Sequence, residues 1–293
     1  MLDLQNVTKT FGNVKALDDL TMTVPRGAVY GLVGPNGAGK STAIRCLLGV
    51  YRPDCGTVTL DGAPVYENPV AKARIGSIPD DIFYFPSATM EDMRKFYQGI
   101  YPKFDQALYY KLFEAFDLPK KAPLRRFSKG MQKQAAFHLT LCTRPEVLVL
   151  DEPVDGLDPV MRRQVWSLIL SEVAKEEPTV LISSHNLREL EDICDHVGIM
   201  DHGRMLLQRS LADMQGATHK LQLVGNIPEG LEILHQNQSG RLTTLIVRGK
   251  AEDIAAKAQA AKCVYFDVLP LSLEEIFIYE LGGVNYEVKN IVL

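Results

Sequence analysis

The chain is short of cysteine, of positive charge and of long apolar runs. Its five cysteines, Cys46, Cys55, Cys142, Cys194 and Cys263, stand far apart without a C-x-x-C pair. That pattern excludes a disulfide scaffold and fits a reducing cytosol. Lysine and arginine number 32 against 36 aspartates and glutamates, for a net charge of -4, so the basic footprint of a nucleic-acid binder is missing. Nowhere do about 18 consecutive apolar residues occur, the length of a membrane-spanning helix. The first residues, Met1 to Asn6, have neither a basic nor an apolar region, so no secretory signal is expected. Five of the histidines, His138, His196, His202, His219 and His235, show no metal-ligand spacing. What remains is a 293-residue globular chain, 46% hydrophobic and 23% charged, long enough for a sizeable core.

Short apolar runs at 29–33, 58–60, 75–78, 147–150 and 180–183 alternate with helical patterns such as 87–117 and 159–177. The alternation predicts an α/β fold with largely parallel pairing. Between Met90 and Phe137 the chain is rich in aromatics at helical spacing, which predicts an inserted helical lobe over about 87–140, its rings serving packing. After about residue 210, strand-like runs at 220–224, 232–235, 243–247 and 264–268 surround a helical pattern at 251–261. Ser272-Leu273-Glu274-Glu275 opens a last helix as a capping box. Two domains are expected, 1–210 and a small α+β appendage over 211–293.

The segment Gly34-Pro35-Asn36-Gly37-Ala38-Gly39-Lys40-Ser41-Thr42 fits G-x-x-x-x-G-K-[ST] between a strand and a helix. Its glycines turn successive N–H groups toward phosphate oxygens, and the helix N-terminus adds partial positive charge. Lys40 is placed to reach the β- and γ-phosphates and Ser41 to hold Mg²⁺. Gly34, Asn36, Gly37, Gly39 and Thr42 complete the candidate cradle. Downstream, Val147-Leu148-Val149-Leu150-Asp151-Glu152 is a buried strand ending in two carboxylates. Asp151 suits Mg²⁺, and Glu152 suits orienting and deprotonating an attacking water, since phosphoryl transfer needs positioning and charge neutralisation.

From Leu2 to about Arg209 the sequence resembles, in order, the nucleotide-binding subunit of ATP-binding cassette (ABC) transporters. Phe127-Ser128-Lys129-Gly130-Met131-Gln132 is similar to the signature L-S-G-G-Q, with Lys129 and Met131 as departures. Val154-Asp155-Gly156-Leu157-Asp158 resembles the D-loop, and Ser183-Ser184-His185 the switch histidine. The resemblance implies a P-loop NTPase of the ABC ATPase type. It places Phe11 against adenine, Ser128 and Gly130 on the γ-phosphate held by an opposite subunit, and Asp158 of the D-loop among the nucleotide-binding residues. It assigns to His185 a hydrogen bond that fixes the water relative to Glu152. Asp80 stands where the Q-loop has Gln or often Glu, as a candidate oxygen for Mg²⁺ or its water.

On this resemblance the expected activity is ATP hydrolysis with Mg²⁺ that energises a separately encoded transmembrane permease in the export direction. The expected partners are a second ABC ATPase subunit, as homodimer or heterodimer, and the permease, with residues 80–100 as the coupling surface and no nucleic acid. The expected location is cytoplasmic, peripheral on the inner face of the membrane through the permease. The alternative is a soluble ABC-type ATPase in cofactor assembly or another non-transport process.

Overall fold

A computed structural model describes residues 1–116, 118–261 and 263–281. The chain begins with β1 (Leu2–Phe11), β2 (Val14–Val24), β3 (Val29–Val33) and α1 (Lys40–Leu47). Next come β4 (Cys55–Leu60), the short β5 (Ala63–Pro64), α2 (Pro69–Lys72) and β6 (Ile75–Ile78). A helical stretch follows, α3 (Met90–Ile100), α4 (Gln106–Phe116) and α5 (Lys129–Leu141). Then come β7 (Val147–Asp151), α6 (Pro159–Glu176), β8 (Thr179–Ser184), α7 (Leu187–Glu191), β9 (His196–Asp201) and β10 (Arg204–Ser210). The chain continues through α8 (Leu211–Ala217), β11 (Thr218–Val224), β12 (Glu232–Ser239), β13 (Leu242–Arg248), α9 (Ala251–Ala260), β14 (Tyr265–Pro270) and α10 (Leu273–Leu281).

The central sheet has the order β10-β9-β3-β8-β7-β6. Its pairs β3–β8, β8–β7 and β7–β6 are parallel. Every residue of β3, β7 and β8 is buried, as continuous apolar runs in a parallel sheet require. The apolar run at 58–60 does not join this sheet. It belongs to β4, which pairs antiparallel with β1 in a second sheet ordered β2-β1-β4-β5. That hydrophobic run carried no mark of its partner, and pairing direction is set by which strand it meets.

The helical pattern over 87–117 breaks into two helices. Tyr101 is extended, with φ -101° and ψ 111°, because the proline ring at 102 clashes with a helical residue before it and supplies no N–H. Thr89 and Asp92 cap α3 reciprocally, and the Leu108 N–H donates to the Asp105 carboxylate at the start of α4. The rings of Tyr109, Phe113 and Phe116 close around His138 of α5, with centroids 4.6, 5.7 and 5.9 Å away. His138 is fully buried, and its Nε2 lies 2.7 Å from the Tyr109 carbonyl.

By their contacts the residues fall into two units. One unit comprises 1–185 and 198–208, and the other 186–197 with 209 onward. Helix α7 groups with the C-terminal elements because Arg188 pairs with Glu274 at 2.8 Å and the Glu191 carboxylate accepts the Leu273 N–H at 3.1 Å. In that second unit a sheet ordered β12-β13-β11-β14 packs Leu221, Leu223, Leu245 and Val247 against Ile254 and Ala258 of α9. Ser272 and Glu275 form the reciprocal cap expected of α10, and Glu275 also binds Lys220 at 2.7 Å. The final stretch of the expected appendage, 282–293, lies outside the described residues.

Burial holds the His138 imidazole neutral, its pKa pushed down to about 4 against the hydrogen bond to Tyr109. The unfolded chain therefore binds a proton between about pH 6.5 and 4 that the folded chain refuses, so stability falls as pH drops through that window. Denaturant titrations at pH 7 and pH 4.5 should show this loss shrinking by about 2 kcal/mol in His138→Gln. An unchanged pH slope would remove His138 from the acid response.

Candidate nucleotide-binding and hydrolysis site

The site is assembled where β3, β7 and β8 end. Val33 pairs with Ser184, and Asp151 with Ser183. The segments that follow those three strands thus emerge side by side at the carboxyl edge of the sheet, the edge at which open α/β sheets bind ligands. Residue 34 opens the glycine loop, residue 152 follows β7, and residue 185 follows β8.

The loop is shaped by backbone crowding. Gly39 caps α1 at φ 102°, and a Cβ there would lie 2.6 Å from the Ala16 carbonyl. A Cβ on Gly34 would lie 2.3 Å from the Met200 carbonyl. Only glycine fits at both places. Asn36 and Gly37 are exposed at the tip, and Ser41 and Thr42 are half-buried in the first turn of α1. Lys40 is buried and curls back across the loop, donating to the Gly34 carbonyl at 2.6 Å. Its Nζ also lies 3.6 Å from Glu152 Oε1. A phosphate in the cradle would offer this ammonium stronger, charged acceptors in place of a carbonyl.

Asp151 is buried and takes two hydroxyl hydrogen bonds on Oδ1, from Ser183 at 2.6 Å and from Ser41 at 3.3 Å. The Ser183 hydroxyl in turn accepts the Glu152 N–H at 3.0 Å. One serine of β8 therefore orients both carboxylate residues. Glu152 lies at φ 46°, in the left-handed region that glutamate rarely adopts, a sign of strain at a working site. Its Oε2 lies 3.0 Å from His185 Nδ1. Burial raises the Glu152 pKa, with Lys40 and His185 opposing. A partly desolvated carboxylate beside an exposed histidine has the chemistry of a general base with an orienting partner.

The other expected residues lie on further segments, and Asp80 joins the same edge because β6 runs parallel to β7. Phe11 lies in β1, exposed and edge-on against Tyr51 at 5.2 Å, with the Lys9 ammonium 5.6 Å from its ring. Ser128 is exposed and caps α5, its hydroxyl accepting the Met131 N–H at 3.3 Å, and Gly130 follows in the first turn. Lys129 is exposed. Asp158 caps α6 through hydrogen bonds from the Val160 and Met161 N–H groups at 2.9 and 3.0 Å. Asp80 follows β6 and is 52% exposed, and its Oδ1 lies 3.8 Å from the ammonium of Lys133. Lys133 is a residue that sequence reasoning missed. Its Nζ donates to the carbonyls of Glu152 at 2.8 Å and Asp155 at 3.0 Å, a long-range link that carries no local sequence signal.

Known proteins resemble this chain in sequence and fold. Residues 17–155 match the family model described as ABC transporter. The ABC transporter ATP-binding protein YtrB of Bacillus subtilis is 30% identical over 288 residues, which cover 97% of this chain and 99% of the relative. The Nod factor export ATP-binding protein I of Burkholderia lata is 32% identical over 296 residues, covering 96% of this chain and 97% of the relative. A solved ATP-binding subunit of an ABC transporter superposes with TM-score 0.67 at 26% identity, over 73% of this chain and 92% of that one. A dimeric bacterial ABC transporter cassette shares the fold, with TM-score 0.65 at 20% identity, over 72% of this chain and 99% of that one.

Replacing Lys40 by Ala should abolish detectable binding of a fluorescent ATP analogue. Glu152→Gln should keep that binding and lower turnover about 100-fold or more, the usual worth of a general base. Turnover of Glu152→Gln within about twofold of wild type would remove Glu152 from the chemistry.

Proposed function

The chain belongs to the ABC transporter family as its ATP-binding, ATP-hydrolysing subunit, and on that premise we propose that Lys40, Ser41, Asp151, Glu152 and His185 carry out the hydrolysis. The observation that carries this reading is the placement of Glu152 between Lys40 and His185, 3.6 and 3.0 Å away, at the mouth of the glycine loop. The N–H groups of 34–42 bind the phosphates and Lys40 the β- and γ-phosphate oxygens. Glu152 takes the proton of the attacking water, and His185 holds Glu152 and the γ-phosphate in register. The Ser41 hydroxyl and the Asp151 carboxylate are paired hard oxygen donors, so they fit a magnesium ion. Bound there, the ion supplies neutralisation of charge developing on the phosphates.

Cassettes of this family dimerise and work with transporter partners. We assign Ser128 and the first N–H groups of α5, with Gly130, to the γ-phosphate of ATP bound by a second ABC ATPase subunit. Asp158, at the head of α6, belongs to the same dimer contact, and Phe11 to the adenine ring. ATP then closes the pair, and loss of the γ-phosphate removes contacts made only on closure. The YtrB relative supports a role for this chain in a transporter, and the Nod factor export relative supports the export direction. Among the described residues no helix is long and apolar enough to cross a membrane.

The contact with that partner is assigned to the segment after β6. Phe83 is 80% exposed, Phe85 49% and Phe96 45%, and their rings touch edge to face, Phe85 and Phe96 at 5.4 Å. A run of touching aromatics left in water marks an interaction surface. On this assignment the protein works on the inner face of the membrane through its permease.

Affinity purification of the tagged protein from gently solubilised host membranes, followed by mass spectrometry, should recover a stoichiometric partner. That partner should contain several apolar stretches of about 18 residues or more. Joint replacement Phe83→Asp and Phe85→Asp should release it while ATP-analogue affinity is kept. Recovery of soluble partners alone would overturn the transport reading in favour of a soluble ATPase.

A further inference from the structure

Lys133 is 5% exposed, a rare degree of burial for lysine unless its charge is matched. Its ammonium has three N–H donors and faces three acceptors from two other segments. These are the carbonyl of Glu152 at 2.8 Å, the carbonyl of Asp155 at 3.0 Å and the carboxylate of Asp80 at 3.8 Å. The Asp155 N–H also donates to the Glu152 carbonyl at 3.3 Å, so the two carbonyls that Lys133 grips lie at the ends of one closed turn. The stem of Lys133 rises from α5, the helix whose first turn begins at Ser128.

The grip falls on a residue whose backbone conformation a side chain disfavours. Glu152 sits at φ 46°, and such a backbone persists only when its surroundings over-determine it. Its N–H is tied to Ser183 and its carbonyl to Lys133. Pinning both peptide groups fixes the direction of the side chain between them, and so the position of the carboxylate relative to Lys40 and His185.

We propose that Lys133 is a positioning residue for ATP hydrolysis, one cation joining α5, the Glu152–Asp155 turn and Asp80 so that the carboxylate is aimed by the helix that Ser128 heads. The proposal rests on Glu152 being the general base. Movement of α5 is then transmitted to the base through a single buried ammonium, within one subunit. Asp80 in this role balances the charge of Lys133. Glutamine at 133 supplies two N–H donors and no charge, methionine supplies neither, and arginine keeps the charge in a wider, planar fork.

The test compares the full chain with Lys133→Met, Lys133→Gln, Lys133→Arg and Asp80→Asn in steady-state ATPase kinetics, fluorescent-ATP binding and gel filtration of the ATP-bound dimer. Lys133→Met should lower kcat about 10- to 100-fold, the cost of a slightly misaimed catalytic group, with KM and ATP affinity within about twofold of wild type. The ATP-bound dimer should persist, and Lys133→Arg should recover part of the lost rate. In Asp80→Asn a smaller fall is expected, and the double variant should be no slower than Lys133→Met alone, as partners in one network behave. Where Lys133→Met fails to bind ATP, Lys133→Gln decides by the same criteria. A wild-type kcat in the deciding variant, or a loss confined to KM, overturns the proposal. An inactive Glu152→Gln beside an unaffected Lys133→Met sinks this inference alone. An active Glu152→Gln sinks the reading of the base on which it rests.

Discussion

Parallel pairing of β3 with β8 and of β8 with β7 brings the ends of three buried strands level, and every chemical group of the site hangs from that alignment. Residues 34, 152 and 185 are distant in sequence. They meet because Val33 faces Ser184 and Asp151 faces Ser183 across hydrogen-bonded neighbours about 4.8 Å apart. A parallel ladder also points the carboxyl ends of all three strands the same way. A slip of one residue would turn Asp151 and Ser183 to opposite faces, because side chains alternate along a strand. The burial of every residue in these strands makes such a slip expensive, so the apolar runs that stabilise the sheet also hold the site in register.

On that frame, polar groups are few and shared. The Ser183 hydroxyl donates to Asp151 and accepts from Glu152, setting two carboxylate residues with one side chain. Lys40 spans a loop carbonyl and Glu152, so its charge is held at the mouth of the cradle by weak partners that a polyphosphate can outbid. The strained backbone of Glu152 is the counterpart of this economy. It turns the chain sharply after β7 so that the carboxylate faces the loop, and the fold around it supplies the free energy of that conformation.

Two groups of aromatics between residues 83 and 116 serve different ends on the two sides of the break before Pro102, although Tyr84 ahead of it is buried and Tyr110 beyond it is exposed. Beyond the break, Tyr109, Phe113 and Phe116 enclose a neutral histidine and act as core. Ahead of it, Phe83, Phe85 and Phe96 stand in water against one another. The same residue types thus serve packing in one group and a surface in the other. Composition could not separate them, because exposure depends on which helix face the neighbouring segments cover.

Chemistry confined to a short segment was legible in the sequence. Gly34 to Thr42, the paired Asp151 and Glu152 after an apolar strand, and the cap at Ser272 and Glu275 each carry their reason within a few residues, and the order of motifs was enough to name the family. Relations between distant segments were not legible. The antiparallel partner of β4, the grouping of α7 with α10, the bond of Ser183 to Asp151 and the grip of Lys133 on the Glu152 turn join residues up to 86 positions apart. Local propensity and periodicity describe what a segment prefers by itself. Which carboxylate a buried lysine finds, and which strand a hydrophobic run meets, is decided only when the whole chain competes for the same interior.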